Sequence, residues 1–430
     1  MASIMVNVAH VAAFLLGSFI VVRAARTRLS DRALLILTFA LCAPMAAFLL
    51  KVSSPPNPFE DFTTAYLAAG RAVLNGPDAL KPLLELGVNG FVNLPILAYL
   101  FAPLAIFPDP IAIGGFFLIG VAAVLVAWRL MVRLFNLGRR DAALLIFAIA
   151  SFGPLAYSFR EGNTSHILLA PILAALVLAR SRRDLSAGAL LGLTALIKPP
   201  LLLIGVYYAL IGRWRIAFGG LGFCLAAALA SLAIFGWDMH ALWLNEFKNY
   251  AGAPMPAFNV QSFAAAILRF LTGPEGYADW SIHELPLPAK LANYALTLGA
   301  LAIAAMSVRA LRQRQPYANE PTEFGLVMVI SFICIASTVS WSHYYVWLLP
   351  GFALALNMLK PFETKGAERW ILLCAFLLAM LAQLQNGWLA RGVAGPLSGV
   401  LVSHLLLGGV LLYALLARAT LKKPSHADAA

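Results

Sequence analysis

The chain has 430 residues, 61% of them apolar and only 12% charged, against roughly 45–50% and 25% in soluble domains. One soluble core cannot absorb that much apolar surface, because a folded globule must still cover itself with polar groups. Composition therefore excludes an ordinary cytosolic enzyme, a disordered chain and a disulfide scaffold, and leaves a polytopic all-α membrane protein with a mean hydropathy of +0.84.

The N-terminal MASIMVNVAH carries no Lys or Arg, whereas a cleavable signal peptide wants a basic start. The apolar run from Val6 to Val22 is followed by Arg23, Arg26, Arg28 and Arg32. Basic residues stay cytoplasmic, so the N-terminus is expected outside. Leu34 to Leu50 returns outward and delivers Lys51–Asn93 to the outer face. The next run, FVNLPILAYLFAPLAIFP (Phe91–Pro108), is short and interrupted by Pro95, Pro103 and Pro108. If it crossed, every later basic cluster would face outward, so it reads as a segment that dips into the outer face without spanning. The remaining clusters are Arg133/Arg139/Arg140, Arg180/Arg182/Arg183, Arg213/Arg215, Arg309/Arg312/Arg314, Lys360/Lys365/Arg369 and Arg418/Lys422/Lys423. Two crossings fit between successive clusters, which predicts roughly 13 spans with the C-terminus inside. The net charge of +12 is thus a topology signal, and no nucleic-acid partner is expected. The four cysteines all fall in apolar runs and read as small buried hydrophobes.

This walk divides the chain into an additional N-terminal span with its basic loop (1–33), a core (34–360) with outer regions 51–110 and 237–290, and C-terminal spans with a tail (361–430). Long irregular segments in a compact protein are usually functional, so the chemistry is expected on the outer face.

Four places there could carry chemistry. In SSPPNPFEDFTTAYLAAGRAVLNG, prolines forbid helix until Glu60 and Asp61 open an amphipathic stretch that ends near Asn75-Gly76. The two carboxylates either cap that helix or supply a general base, Asp61, at the membrane–water boundary. In ALIKPPLLL, Lys198 lies between two apolar arms. It either snorkels to the interface or contacts a phosphate from a low-dielectric site. In SWSHYYVWLLP, His343 closes a span beside Trp341, Tyr344, Tyr345 and Trp347, an arrangement that also suits an aromatic belt. The second outer region brings Asp238, His240, Glu246 and FNVQSFAAAILRFL with Asn259, Gln261, Ser262 and Arg269; the Asn and Gln suit a sugar-hydroxyl site, and an ordinary loop accounts for them at least as well. Nucleotide-binding loops and HExxH or CxxC zinc spacings are missing, and Glu60-Asp61 is not a spaced DxD, so neither a metal nor another cofactor is expected.

Taken in order, EDFTTAYLAAGRAVLNG, NLPILAYLFAPLAIFP, EGNTSHILLAPILAALVLARSRRDLSAGALLGLTALIKPPLLL, NVQSFAAAILRFL and SWSHYY give the region from Pro56 to Pro350 a family likeness. The chain resembles glycosyltransferase family 87, the bacterial polyprenol-phosphate-mannose-dependent α-mannosyltransferases of the GT-C superfamily. The resemblance implies a GT-C type helical bundle in the bacterial inner membrane with outer-face juxtamembrane helices and a periplasm-facing site. It implies Asp61 as catalytic base, a functional His343, and Lys198 as the lysine of the hairpin. Lys198, with Arg269 behind it, is then expected on the donor phosphate. Glu60, Tyr66, Asn93, Asn163, Asn259, Gln261, Trp341 and Tyr344 are expected around the substrates. The chain departs from the family pattern at three places: Asn93-Leu94-Pro95 stands for Tyr-Pro-Pro, Glu161-Gly162-Asn163-Thr164 for Gly-Gln-x-Asn, and Tyr344 for a second His.

The expected reaction moves a sugar, mannose by the resemblance, from a polyprenyl phosphate to a lipid-linked glycan, inverting the anomeric carbon. Three other readings compete: the same transfer from a pentose or uronic acid donor, a transporter or flippase of lipid-linked sugars, and a pure assembly or scaffold membrane protein, against which Lys198 and the ordered motifs speak. A transporter would ordinarily show internal repeats, which this chain lacks.

Overall fold

The computed structural model describes residues 2–52, 57–251, 254–314, 320–364, 366–382 and 396–421. Pro55, Pro56, Lys365, Lys422 and Lys423 lie outside the described residues. Helices make up nearly all of the described chain. No strand forms there, and the one bridge-type pairing joins Val260 to Trp341.

Six helices are long and apolar enough to cross a bilayer: 5–25, 31–52, 109–134, 214–249, 287–313 and 404–421. A seventh passage is a bent pair, Arg139–Ala150 and Gly153–Glu161, meeting at 48°. Shorter apolar helices, among them Leu169–Arg180, Asp184–Ile197 and Glu323–Ala336, lie between them. Ile36, Leu118, Leu210, Leu229 and Leu298 point outward and are exposed. Hydrocarbon is the solvent that accepts such surfaces, and helices are the elements that satisfy their own backbone within it. The protein is a polytopic helical membrane protein.

Without a hydrophobic drive between helices in lipid, close backbone approach decides which ones pack. Asp184–Ile197 lies against the first part of Trp214–Ala251 through glycines. A Cβ on Gly188 would fall 2.0 Å from the Ile216 carbonyl oxygen, and one on Gly192 would fall 2.7 Å from that of Gly220.

The two ends of the bundle differ. At one end, ion pairs tie the basic clusters to neighbouring helix starts. Arg139 meets Asp31 at 3.2 Å, Arg213 meets Asp184 at 2.7 Å, and Arg140 meets Glu363 at 3.3 Å. Arg180 forks onto the buried Glu323. At the other end the helices break. Residues 91–108 form only two short pieces, Pro95–Leu100 and Ala102–Ala105, neither long enough to span. The region 237–290 is less irregular than its sequence suggests: the helix Trp214–Ala251 bends at Gly236 and continues to residue 251.

One break sets the position of the first outer segment. Gly162 ends Gly153–Glu161 in a left-handed conformation (φ 71°). A Cβ there would lie 2.6 Å from that of Phe62 and 3.2 Å from the Phe59 Cα. The bare backbone lets the Phe59 amide donate to the Arg160 carbonyl at 2.6 Å, which seats the next residues against the helix end. Gly162→Ala should therefore destabilise the protein by about 1–3 kcal/mol, read as a lower midpoint in a detergent thermal melt. Gly299→Ala, inside Leu287–Arg314 with open space around it, should leave the midpoint unchanged or raise it by the equivalent of up to about 1 kcal/mol.

Candidate active site

Asp61 is the first residue of a π-helical turn, Asp61–Leu67, that passes into the α-helix Ala68–Leu74. Single π turns recur at functional sites because the wider winding re-aims side chains. The predicted stretch from Glu60 to Asn75 is thus helical, with a π-helical opening. Asn163 Nδ2 donates to Asp61 Oδ2 at 2.6 Å. The direction of that amide is forced, since its carbonyl oxygen already accepts from the Ser165 N–H (3.1 Å) and O–H (2.9 Å). Asp61 keeps a partly open edge. Desolvation nonetheless pushes its carboxyl above the ordinary value, while the Asn163 bond and the Lys198 charge pull it back and Glu60 pushes it up.

Lys198 sits where Asp184–Ile197 stops and Pro199–Leu201 begins, in extended backbone that two prolines enforce. Asn93 donates to the Ile197 carbonyl at 2.7 Å, fixing the residue just before the lysine. The Lys198 side chain is buried, within electrostatic reach of Asp61, and its Nζ lies 5.2 Å from the centre of the Tyr344 ring. A lysine held this way is a fixed cation over an aromatic face.

His343 comes from the 3₁₀ stretch Ser342–Leu348. It stacks between Tyr157 (6.4 Å, 10°) and Trp341 (6.2 Å, 18°) and meets Tyr344 edge-on at 5.1 Å. Both of its ring nitrogens are buried without a hydrogen-bond partner among the described residues, as are the hydroxyls of Thr164, Ser340 and Ser342. Buried polar atoms are normally paired, so a cluster of unpaired ones marks a place built for something polar.

The second outer region reaches the site through main-chain bonds. Gln261 N donates to the Ser340 carbonyl (2.6 Å) and Ser342 N to the Asn259 carbonyl (2.8 Å). Asn259 donates to the Tyr157 hydroxyl at 3.3 Å and accepts from Trp280 Nε1 at 2.9 Å.

Asp61, Asn163, Lys198, His343, Tyr344, Trp341 and Asn259 therefore converge, with Glu60 beside Asp61 and Asn93 behind Lys198. Three expected residues lie in the frame instead. Tyr66 is buried and stacks on Phe101 at 4.7 Å. Gln261 is enclosed, its amide donating to the Phe258 and Val402 carbonyls. Arg269 is placed differently from the expected phosphate contact: each of its three nitrogens donates to Ser403 or to the carbonyls of Pro256, Ala257 and Val260. A guanidinium taken up by the Ser403 hydroxyl on one side and by three loop carbonyls on the other is a clamp on that loop.

Sequence reasoning missed Tyr157, Glu161 and Trp280 as site residues. Tyr157 and Glu161, one turn apart, lie within electrostatic reach of each other, and the Glu161 carboxylate within reach of Asp61 and Glu60. The available signal was a charged residue closing an apolar run immediately before Gly162-Asn163. Among the described residues, no three His, Cys, Asp or Glu side chains come together as a metal site would require.

The family model of glycosyltransferase family 87 matches residues 91–338, more than half of the chain, and begins after Asp61. A Mycobacterium tuberculosis relative, the polyprenol-phosphate-mannose-dependent alpha-(1-2)-phosphatidylinositol mannoside mannosyltransferase, is 27% identical over 68% of this chain and 69% of its own length. The Mycolicibacterium smegmatis polyprenol-phosphate-mannose-dependent alpha-(1-2)-phosphatidylinositol pentamannoside mannosyltransferase is 26% identical over 65% and 66%. A broken helical bundle in lipid, with charged residues gathered at the breaks, agrees with that match, and the chain belongs to glycosyltransferase family 87 as a membrane glycosyltransferase.

Proposed function

We propose that this enzyme transfers mannose from a polyprenyl phosphate to a hydroxyl of a lipid-linked glycan, with inversion and with Asp61 as general base. The observation that carries the reading is the meeting of an enclosed carboxylate, a buried ammonium and an unpaired imidazole from three separate helix breaks. In the proposed topology the shorter apolar helices also cross, giving roughly 13 spans with the N-terminus outside and the C-terminus inside. Each of those breaks then opens on the non-cytoplasmic side of the bacterial inner membrane. The donor prefix in the relatives' names supports the choice of sugar and carrier.

In the reaction, the acceptor oxygen attacks the anomeric carbon from the face opposite the phosphate and its proton passes to the Asp61 carboxylate. The bond between that carbon and the phosphate oxygen breaks, and the electron pair leaves with polyprenyl phosphate. The transition state has oxocarbenium character, as in glycoside hydrolysis. The leaving phosphate departs as an anion and needs cations in place of a protonating acid. Lys198 supplies the fixed charge, and His343 offers ring nitrogens to a phosphate or sugar oxygen. The acceptor lies on the side of Glu161 and Tyr157, where a carboxylate and a phenol can bond sugar hydroxyls.

Asp61→Asn should lower transfer from synthetic polyprenyl-phosphate mannose by about 10²–10⁴-fold. A raised carboxyl means that the folded protein binds this proton more tightly than the unfolded chain, so the ionised group costs stability above its folded value. The Asn variant removes that cost but leaves the buried Lys198 without its charge partner, so its midpoint at pH 8 is measured beside the assay, and lost transfer with a retained cooperative melt separates lost chemistry from lost fold. Wild-type turnover by this variant removes Asp61 as base.

The same shift fixes a pH dependence. Only the ionised base works, so kcat/KM should fall on acidification with an inflection above the ordinary carboxylate value of about 3.9. Lys198→Met removes a charge that favours the ionised form, so the acid limb should move to higher pH. The donor KM should rise by roughly tenfold or more as a charge-assisted contact is lost. An unmoved acid limb with unchanged donor KM would separate Lys198 from both roles. Product analysis with a panel of polyprenyl-phosphate sugars decides the donor.

A further inference from the structure

At the arginine-rich end of the bundle, lined by no residue of the Asp61 cluster, a cavity of about 490 Å³ opens between the first helix and the helices near the C-terminus. That size falls within the 300–1,000 Å³ of small-molecule sites. Its walls are apolar side chains from four helices: Phe14, Leu145, Phe352 and Phe376. Its remaining lining includes two cations and an indole: Arg26, just past the end of Ala2–Ala25, and Arg369 with Trp370, at the start of Glu368–Met380.

Neither arginine is used by the fold. Among the described residues neither Arg26 nor Arg369 makes an ion pair, whereas Arg139, Arg140 and Arg418 do. The Arg369 guanidinium lies 4.8 Å over the Trp370 ring, and its Nε is buried without a partner. The nearby carboxylates are already engaged elsewhere, Glu363 with Arg140, which also holds Asp141, and Glu368 with Arg418. The helix Glu368–Met380 also begins without a side-chain cap, so its first amides add positive potential at the same mouth. An apolar slot that runs from the bilayer interior toward uncompensated arginines has two requirements. Its walls exclude water and ask for hydrocarbon, and its mouth asks for an anion. An indole beside the cations suits the headgroup boundary.

We propose that this cavity is a binding site for an anionic glycerophospholipid, with one acyl chain against the wall that the contacting rings of Phe14 and Phe376 form with Leu145 and Phe352 and the phosphate on Arg26 and Arg369. The site is separate from the transfer chemistry. It joins the N-terminal helix, which precedes the matched family region, to the C-terminal helices, which follow it. A lipid seated there ties the two ends of the chain together.

The test uses the full-length protein in neutral detergent and native mass spectrometry with phosphatidylglycerol and phosphatidylcholine of identical acyl chains. The wild type should hold one phosphatidylglycerol about thirtyfold more tightly than phosphatidylcholine, as two arginines at a lipid surface imply. The double variant Arg26→Gln, Arg369→Gln should lose that preference. The same charge removal at Arg28 and Arg32, on the same end but outside the cavity lining, should keep it. sn-Glycerol-3-phosphate, a headgroup without a chain, should fail to displace the lipid even in large excess. The proposal falls if the wild type shows no preference, if the double variant keeps it, if the Arg28/Arg32 control loses it equally, or if glycerol phosphate competes. Thermal melts of each variant verify that the fold is intact.

Discussion

The structure turns on one constraint: a carboxylate and an ammonium must share a poorly hydrated pocket, and neither is tolerable there alone. Taking an isolated charge out of water costs several kcal/mol even after relaxation. Asp61 meets that cost with the Asn163 amide and with the charge of Lys198. The balance is incomplete, and its carboxyl stays above the ordinary value. That residual discomfort suits the base role proposed for it. A carboxylate too well satisfied would be a poor proton acceptor, and a bare one would already be protonated.

The constraint explains why the helices stop where they do. Non-helical backbone is tolerated in a membrane protein only against other protein or a wet cavity. Glu161-Gly162-Asn163, Lys198-Pro199-Pro200 and Ser340-Trp341-Ser342 are three such interruptions, and they lean on one another. Asn93 holds the carbonyl before Lys198. Trp347 Nε1 donates to the Ser165 carbonyl at 2.9 Å, joining the His343 turn to the Asn163 turn. Arg269 gathers three loop carbonyls, and the Val260–Trp341 bridge carries the result to His343. The charge that resembled a phosphate contact is thus one step removed, holding the loop on which Asn259 stands.

How much was legible in the sequence follows from the same physics. Asp61, Lys198 and His343 stood out because a titratable group beside an apolar run is expensive and therefore conspicuous. The basic clusters were legible for the same reason, and so was the failure of the proline-rich 91–108 to span. Glu161 and Tyr157 were hidden, because an i,i+4 pair at a helix end has nothing unusual in its spacing and its importance lies in what faces it from distant parts of the chain, Asp61 on one side and Asn259 on the other. Arg269 was misjudged because a sequence shows a cation but not whether carbonyls already saturate it. The helical continuation to residue 251 was obscured by Gly236, which reads as a terminator and acts as a bend.

The contrast between the two ends of the bundle carries the last step. At the basic end, ion pairs between successive loops hold the helix starts in register, with Arg180 on buried Glu323 as the most enclosed of them. Within the site at the other end the polar groups are arranged the opposite way: hydroxyls of Thr164, Ser340 and Ser342 and the His343 nitrogens are left without partners among the described residues. Phe59 there adopts a positive φ of 62°. Each of these features costs stability, and strain of this kind persists only where the surroundings over-determine it. A frame pinned at one end by charge pairs and along its length by glycine-mediated helix contacts can hold such a site open. The unpaired atoms can then wait for a polar ligand, because collapsing onto one another would require moving helices that the other end has already fixed.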